Sequence, residues 1–249
     1  MEQEHIVKSY DDDLSRLDNL IAEMGGLCEA QLSEAIEALT KSDQEIAERV
    51  VLDDKKIDAL EVEIDAHAVK LLALRQPMAE DLRIIISALK VSGNLERVGD
   101  YAKNIAKRAI TIAKSRNHGF NASMIVRMAN IVQPMIKNAL DAYISRDAEL
   151  ANDVRLRDED VDQLHSSFFR EQLTYMMEDP RTITTCTHLL FVAKNVERIG
   201  DHITSIAEQI MFSVDGVVPE TERPKKELIK LTGSATAGTI TAFKLPRKR

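Results

Sequence analysis

Residues 94–106 read NLERVGDYAKNIA, and residues 195–207 read NVERIGDHITSIA. The two stretches lie 101 residues apart and keep the order Asn-x-Glu-Arg-x-Gly-Asp, with only Leu/Val and Val/Ile exchanged inside that heptapeptide. Both sit in apolar stripes of helical period. Ile84, Ala88, Val91, Leu95, Val98, Ala102, Ile105, Ala109 and Ile112 alternate steps of four and three, as do Leu189, Val192, Val196, Ile199, Ile203, Ile206 and Ile210. Such a stripe is the seam of a helix bundle, where one face is buried against neighbouring helices. The decisive feature is therefore a helix that occurs twice.

Further upstream, an offset of 104 pairs Met24 with Met128, Ala35 with Ala139, Asp43 with Asp147, Glu45 with Glu149, Asp54 with Asp158 and Asp58 with Asp162. The whole chain thus repeats with a period of about 100 residues, one long helical unit per period. Each unit divides into three amphipathic segments, at 8–41, 43–75 and 78–115, then 121–145, 147–178 and 181–213. Asp43 and Asp147 are acids suited to a helix start, and Pro77 and Pro180 stand where the third helix of each unit begins. NHGFN at 117–121 is the linker between the units. The expected architecture is all-α, a tandem repeat of two three-helix bundles over 8–116 and 121–213, with six long helices. Residues 214–249 lose the stripe, and 223–249 carry eight Lys/Arg against Glu227 alone, so they are expected to form a basic, poorly structured tail.

Composition agrees with long helices. The 249 residues include nine Gly, six Pro and no Trp, with 44% hydrophobic residues, enough to bury a substantial core. A net charge of −8, with most of the cations of the C-terminal end set against a strongly acidic body, argues against nucleic acid and for cations or basic partner surfaces. Cys28 and Cys186 have no metal-ligand or disulfide-framework spacing and read as small core residues in a reducing compartment. The N-terminus is too polar for a signal peptide, and no apolar run approaches the length of a membrane span, so the expected location is the cytoplasm.

The chemistry worth weighing lies in the repeated heptapeptide. Glu96 and Asp100 are four residues apart and stack on one helix face, as do Glu197 and Asp201. That face is rotated roughly 140–180° from the apolar stripe, so both pairs are expected to point outward from their own three-helix cores. Like charges at this spacing repel, and a cation that takes carboxylate oxygens from adjacent turns would offset the repulsion. Arg97 and Arg198, three residues before each Asp, offer a plainer compensation. Gly99 and Gly200, between the acids, cost about 1 kcal/mol each relative to Ala and are explained by clearance for a close neighbour or for water on a bound ion.

Asp54 and Asp58, matched by Asp158 and Asp162, are further candidate ligands from the second helix of each unit. His67 lies on the seam Ile57, Leu60, Ile64, Leu71 and reads as a core histidine. His165 has Glu61 as its repeat counterpart, so a symmetric histidine site is not supported. His202 has Tyr101 as its counterpart and reads as incidental.

The paired Glu-x-x-x-Asp elements, together with LDDKKIDALE and RDEDVDQLH on the second helices, resemble the PhoU family of phosphate-specific transport system accessory proteins, over residues 8–213. The resemblance implies a cytoplasmic, non-enzymatic regulator with multinuclear metal centres held by Glu96, Asp100, Glu197 and Asp201, with iron favoured over Mn, Mg or Zn. It further implies a homodimer that couples the ATP-binding subunit of the phosphate ABC transporter to the sensor histidine kinase of the phosphate regulon, acting as a negative regulator. An acidic helical scaffold working without metal is the main alternative. A di-metal carboxylate oxidase is disfavoured, because such bundles aim paired Glu-x-x-His elements into the core and the acidic pairs here lie off the seam. Nor is there a Gly-rich phosphate loop or a nucleophile elbow.

Overall fold

A computed structural model describes residues 2–114 and 121–217, with side chains from Tyr10 onward. Most of the expected basic tail and most of the linker fall outside the described residues. Seven α-helices run α1 (Glu2–Lys41), α2 (Gln44–Arg75), α3 (Glu80–Ala113), α4 (Ser123–Ser145), α5 (Ala148–Leu156), α6 (Asp158–Glu178) and α7 (Ile183–Asp215), with one 3-10 turn at Pro180–Thr182. No strand occurs among the described residues. The all-α tandem architecture is therefore the one observed.

The helix starts follow local chemistry. Asp43 caps α2 by accepting the Ile46 N–H at 3.1 Å, and Asp147 caps α5 by accepting the Leu150 N–H at 2.9 Å. Each such cap contributes about 1 kcal/mol by satisfying an orphan donor. The residue before each cap, Ser42 (φ 53°) or Arg146 (φ 55°), adopts the left-handed conformation that turns the chain out of the preceding helix. α7 runs to Asp215, two residues beyond the expected limit of 213, and is closed by Gly216 (φ 75°).

Two details differ from expectation. The segment 147–178 is not one helix: at Arg157 it tightens, the Arg157 N–H bonding the Val154 carbonyl at 3.2 Å, and divides into α5 and α6. Its counterpart α2 is unbroken. The stripe of α3 is entered by Ile85, which is fully buried, rather than Ile84. The remaining positions of both stripes are buried, down to Ile112 and Ile210.

α3 and α7 are the central helices. Each packs against its own repeat, and they pack most extensively on each other, while α1 also meets α4. The pairs Asn94–His202 and Arg108–His188 fix an antiparallel run of α3 and α7. Buried side chains from both repeats consequently join in one continuous core. Cys28 and Cys186 are both free and buried, Cys28 within this core. His67 is buried, as its place on the seam required, with its Nε2 bonded to the Asp13 carbonyl at 2.8 Å.

Candidate functional site

The two acidic pairs sit midway along α3 and α7, where each central helix is flanked by the second helix of its own repeat. They do not point freely outward. Side-chain exposure is 17% for Glu96, 27% for Asp100, 12% for Glu197 and 21% for Asp201. The helical rotation is as expected, but α2 and α6 lean across the flank and shelter what a single helix would have exposed.

The glycines permit that approach. A Cβ on Gly99 would lie 2.9 Å from Ile57 Cδ1 of α2, and one on Gly200 would lie 2.8 Å from Asp158 Oδ1 of α6. Clearance for a close neighbour is thus their use, an apolar neighbour in the first repeat and a carboxylate in the second. The break at Arg157 makes Asp158 the first residue of α6 and sets it against Gly200.

In the first repeat, Asp54 is only 3% exposed. It accepts from Gln31 Nε2 at 3.1 Å and from the ammonium of Lys103, which also donates to Asp100. Arg97 adds a bond to Asp100 at 3.3 Å, realising the plainer compensation. Burial would lift the Asp100 carboxyl, but the hydrogen bond and charge of Lys103 outweigh it and hold that carboxyl below its ordinary value. Burial lowers Lys103 in turn, and its bonds to Asp100 and Asp54 more than reverse this. Glu96 is the group left carrying the repulsion. Burial first, then the Asp100 charge, pushes its carboxyl from 4.5 up to about 7. Asp58 is exposed and takes no part in this cluster.

The second repeat carries the same heptapeptide on α7 with different charges around it. Thr204, fully buried, stands at the position of Lys103, so no ammonium spans Asp158 and Asp201 from that turn of α7. Asp158 is buried and Asp162 is half-buried. Lys194 bonds Glu197 from one turn earlier at 2.6 Å, and Arg198 approaches Asp201 at 4.0 Å. His165 lies close enough to feel Glu197 and Lys194, with burial lowering its basicity. Its counterpart Glu61 bears likewise on Glu96, so these two positions belong to the faces although their side chains differ. His202 is not incidental: its Nδ1 meets Asn94 Oδ1 at 2.8 Å and its ring lies 5.5 Å from that of Tyr101, joining the two repeats.

A fit to metal can be tested on this geometry. Among the described residues no three His, Cys, Asp or Glu side chains converge as a ready-made metal site. On the first face a lysine ammonium already lies between Asp54 and Asp100. The second face lacks that ammonium and carries Asp158, Glu197 and Asp201, hard oxygen donors that do not converge on one point, with Glu197 already bonded by Lys194.

The raised Glu96 carboxyl has a consequence for stability. Between its unfolded value near 4.5 and its folded value of about 7, the folded chain holds a proton that the unfolded chain has released. This group therefore favours folding at low pH, and that contribution is lost as pH rises through about 7. Glu96→Gln should gain stability relative to the parent chain as pH is raised from about 5 to about 8. Urea midpoints that keep a constant difference across that range would contradict the assignment.

Comparison with known proteins places this geometry. The family model described as the PhoU domain matches residues 21–109 and 125–210, one match per repeat. The phosphate-specific transport system accessory protein PhoU homolog of Rhizobium meliloti is 46% identical over 236 residues, covering 95% of this chain and 100% of that one. The homolog of the same name from Caulobacter vibrioides is 48% identical over 226 residues, covering 91% and 98%. The crystal structure of PhoU from Pseudomonas aeruginosa superposes with a TM-score of 0.81 at 38% identity, covering 84% of this chain and 100% of that one. With both repeats matched and nearly the whole length shared, the chain belongs to the PhoU family.

Proposed function

We propose that the chain is an accessory protein of phosphate uptake that acts by binding rather than by catalysis. In this role it is a cytoplasmic negative regulator that couples the ATP-binding subunit of the phosphate ABC transporter to the sensor histidine kinase of the phosphate regulon. The observation that carries it is the near full-length identity with proteins named as accessory to phosphate-specific transport. No described helix is long and apolar enough to cross a membrane, which is consistent with an accessory protein that docks on membrane-bound partners. Deleting the gene should leave the phosphate-starvation response switched on in phosphate-rich medium, and restoring the chain should silence it. Normal repression in the deletion strain would refute the proposal. A version ending at 213 should also restore silence if the basic tail is dispensable.

Cation binding is the finer part of the same proposal. Glu197 and Asp201, with Asp158 and Asp162, form the face that takes up metal, iron first and Mn, Mg or Zn otherwise. Asp100 and Asp54 are already offset by Lys103 and, with Glu96, contribute less. The support is that Lys103 bonds Asp54 and Asp100 on the first face while Thr204 stands at its position on the second. Elemental analysis should find stoichiometric metal lost in Glu197→Ala/Asp201→Ala and largely kept in Glu96→Ala/Asp100→Ala. Full regulation by a chelated, metal-free chain would instead favour the metal-independent scaffold. Self-association is proposed through the exposed apolar row Phe169, Leu173 and Met177 on α6, to be checked by light scattering.

A further inference from the structure

The seam where α3 meets α7 has corresponding positions at its two ends, but they differ in residue and in charge. The offset of 101 places Asn104 on Ser205, Lys107 on Glu208, Arg108 on Gln209, Thr111 on Phe212, Lys90 on Phe191 and Asn94 on Asn195. At one end Asn104, Lys107, Arg108 and Thr111 of α3 and Phe191 and Asn195 of α7 line an open pocket of about 310 Å³. At the other end the two cations are replaced by Glu208 and Gln209.

The pocket residues are held but not neutralised. Arg108 Nη1 donates to His188 Nδ1 at 3.2 Å, and its guanidinium lies 4.6 Å from the centre of the Phe191 ring. A guanidinium only donates, so His188 Nδ1 is the unprotonated nitrogen there. Burial and the Arg108 charge both lower the basicity of that imidazole, which keeps it neutral and suited to accept. Among the described residues neither Lys107 nor Arg108 has a carboxylate partner, in a chain whose net charge is −8. The carboxamides of Asn104 and Asn195 likewise have no hydrogen-bond partner among the described residues. Thr111 spends its proton on the Lys107 carbonyl at 3.0 Å and adds no donor.

A planar guanidinium, an ammonium and two amides converging from two helices are the donor set of a phosphoryl group. The volume, equal to about ten waters, exceeds what one inorganic ion fills and reaches the lower end of small-molecule sites. Phe191, 49% exposed, supplies a flat apolar wall beside the cations. We propose that this pocket binds a small phosphate monoester, with its phosphoryl oxygens on Arg108, Lys107 and the two Asn side chains and its organic part against Phe191. Because α3 comes from the first repeat and α7 from the second, such a ligand would bridge them. The proposal is independent of the acidic faces and of the partners named above.

The test is calorimetric titration of the full chain with adenosine 5′-monophosphate, inorganic phosphate and adenosine. The monophosphate should bind with a Kd below about 1 mM, inorganic phosphate more weakly, and adenosine not measurably. Arg108→Gln and Lys107→Gln, the first of which copies the residue of the other repeat, should each weaken the monophosphate about tenfold or more. Phe191→Ala should weaken the monophosphate and leave inorganic phosphate unchanged. Circular dichroism of these surface variants will show that they fold. Absence of saturable binding by either phosphate, or binding indifferent to Arg108 and Lys107, would overturn the site. Inorganic phosphate binding as tightly as the monophosphate, with the same Arg108 dependence, would overturn the ester and leave a site for the free ion.

Discussion

Replacing Lys103 with Met is expected to destabilise the folded chain by about 3–5 kcal/mol at neutral pH, the cost of leaving a buried charge without its partner. Met keeps the aliphatic stem and removes the ammonium that donates to both Asp54 and Asp100. What remains around Asp54, 3% exposed, is the amide of Gln31 and two further carboxylates nearby on α3. The double change Asp54→Asn/Lys103→Met should recover most of the loss, because no charge is then stranded in the interior. Acid separates this account from one based on packing. In the parent chain, Asp100 is held below its ordinary value of 3.8, so its contribution is present above that value and is lost as pH falls through the lower folded one. In the Met variant, protonating the carboxylates relieves the repulsion instead, so the gap between variant and parent should narrow as pH drops from about 7 toward about 4. Urea titrations showing a pH-independent loss would mean that Lys103 matters for its stem alone.

The importance of Lys103 was not obvious from the motif, although a signal for it existed. Lys103 follows Asp100 by three residues, and the second copy has Thr204 there. Comparing the repeats for what differs, rather than for what agrees, would have singled it out. What the chain does declare are features set by local periodicity: the two stripes, the Asp43 and Asp147 caps and the Gly between the acids. What it does not declare depends on how helices lean on one another. The shelter over Glu96 and Glu197 comes from α2 and α6 crossing at Gly99 and Gly200. The break at Arg157 has no Pro or Gly to announce it. Three consecutive isoleucines at 84–86 leave the register of the α3 stripe undecided until the neighbours are in place. His202 looked unmatched because its partner, Asn94, belongs to the other repeat's copy of the same motif.

That cross-repeat dependence leads to the second large effect, at Arg146. Its Nη2 donates to both carboxylate oxygens of Asp18 at 2.9 Å, Nη1 donates to the Tyr143 carbonyl at 3.0 Å, and the guanidinium lies 4.8 Å from the Tyr143 ring centre. Asp18 is on α1 and Arg146 follows α4, so this clip joins the repeats beside the contact where Leu140 fills the space left open at Gly25. Arg146→Ala should cost about 3 kcal/mol, the loss of a charged pair, a bond to a backbone carbonyl and a cation–π contact. Arg146→Gly should cost about 1 kcal/mol less, because φ 55° strains Ala and not Gly. The comparison separates side-chain loss from backbone strain at one position. Since both repeats share one core through α3 and α7, either variant should shift a single unfolding transition rather than release one repeat ahead of the other. In calorimetry the parent and both variants are expected to show equal van't Hoff and calorimetric enthalpies. Two separable transitions in Arg146→Ala would show that the α3–α7 core alone does not bind the repeats into one cooperative unit, and that the Asp18 clip does.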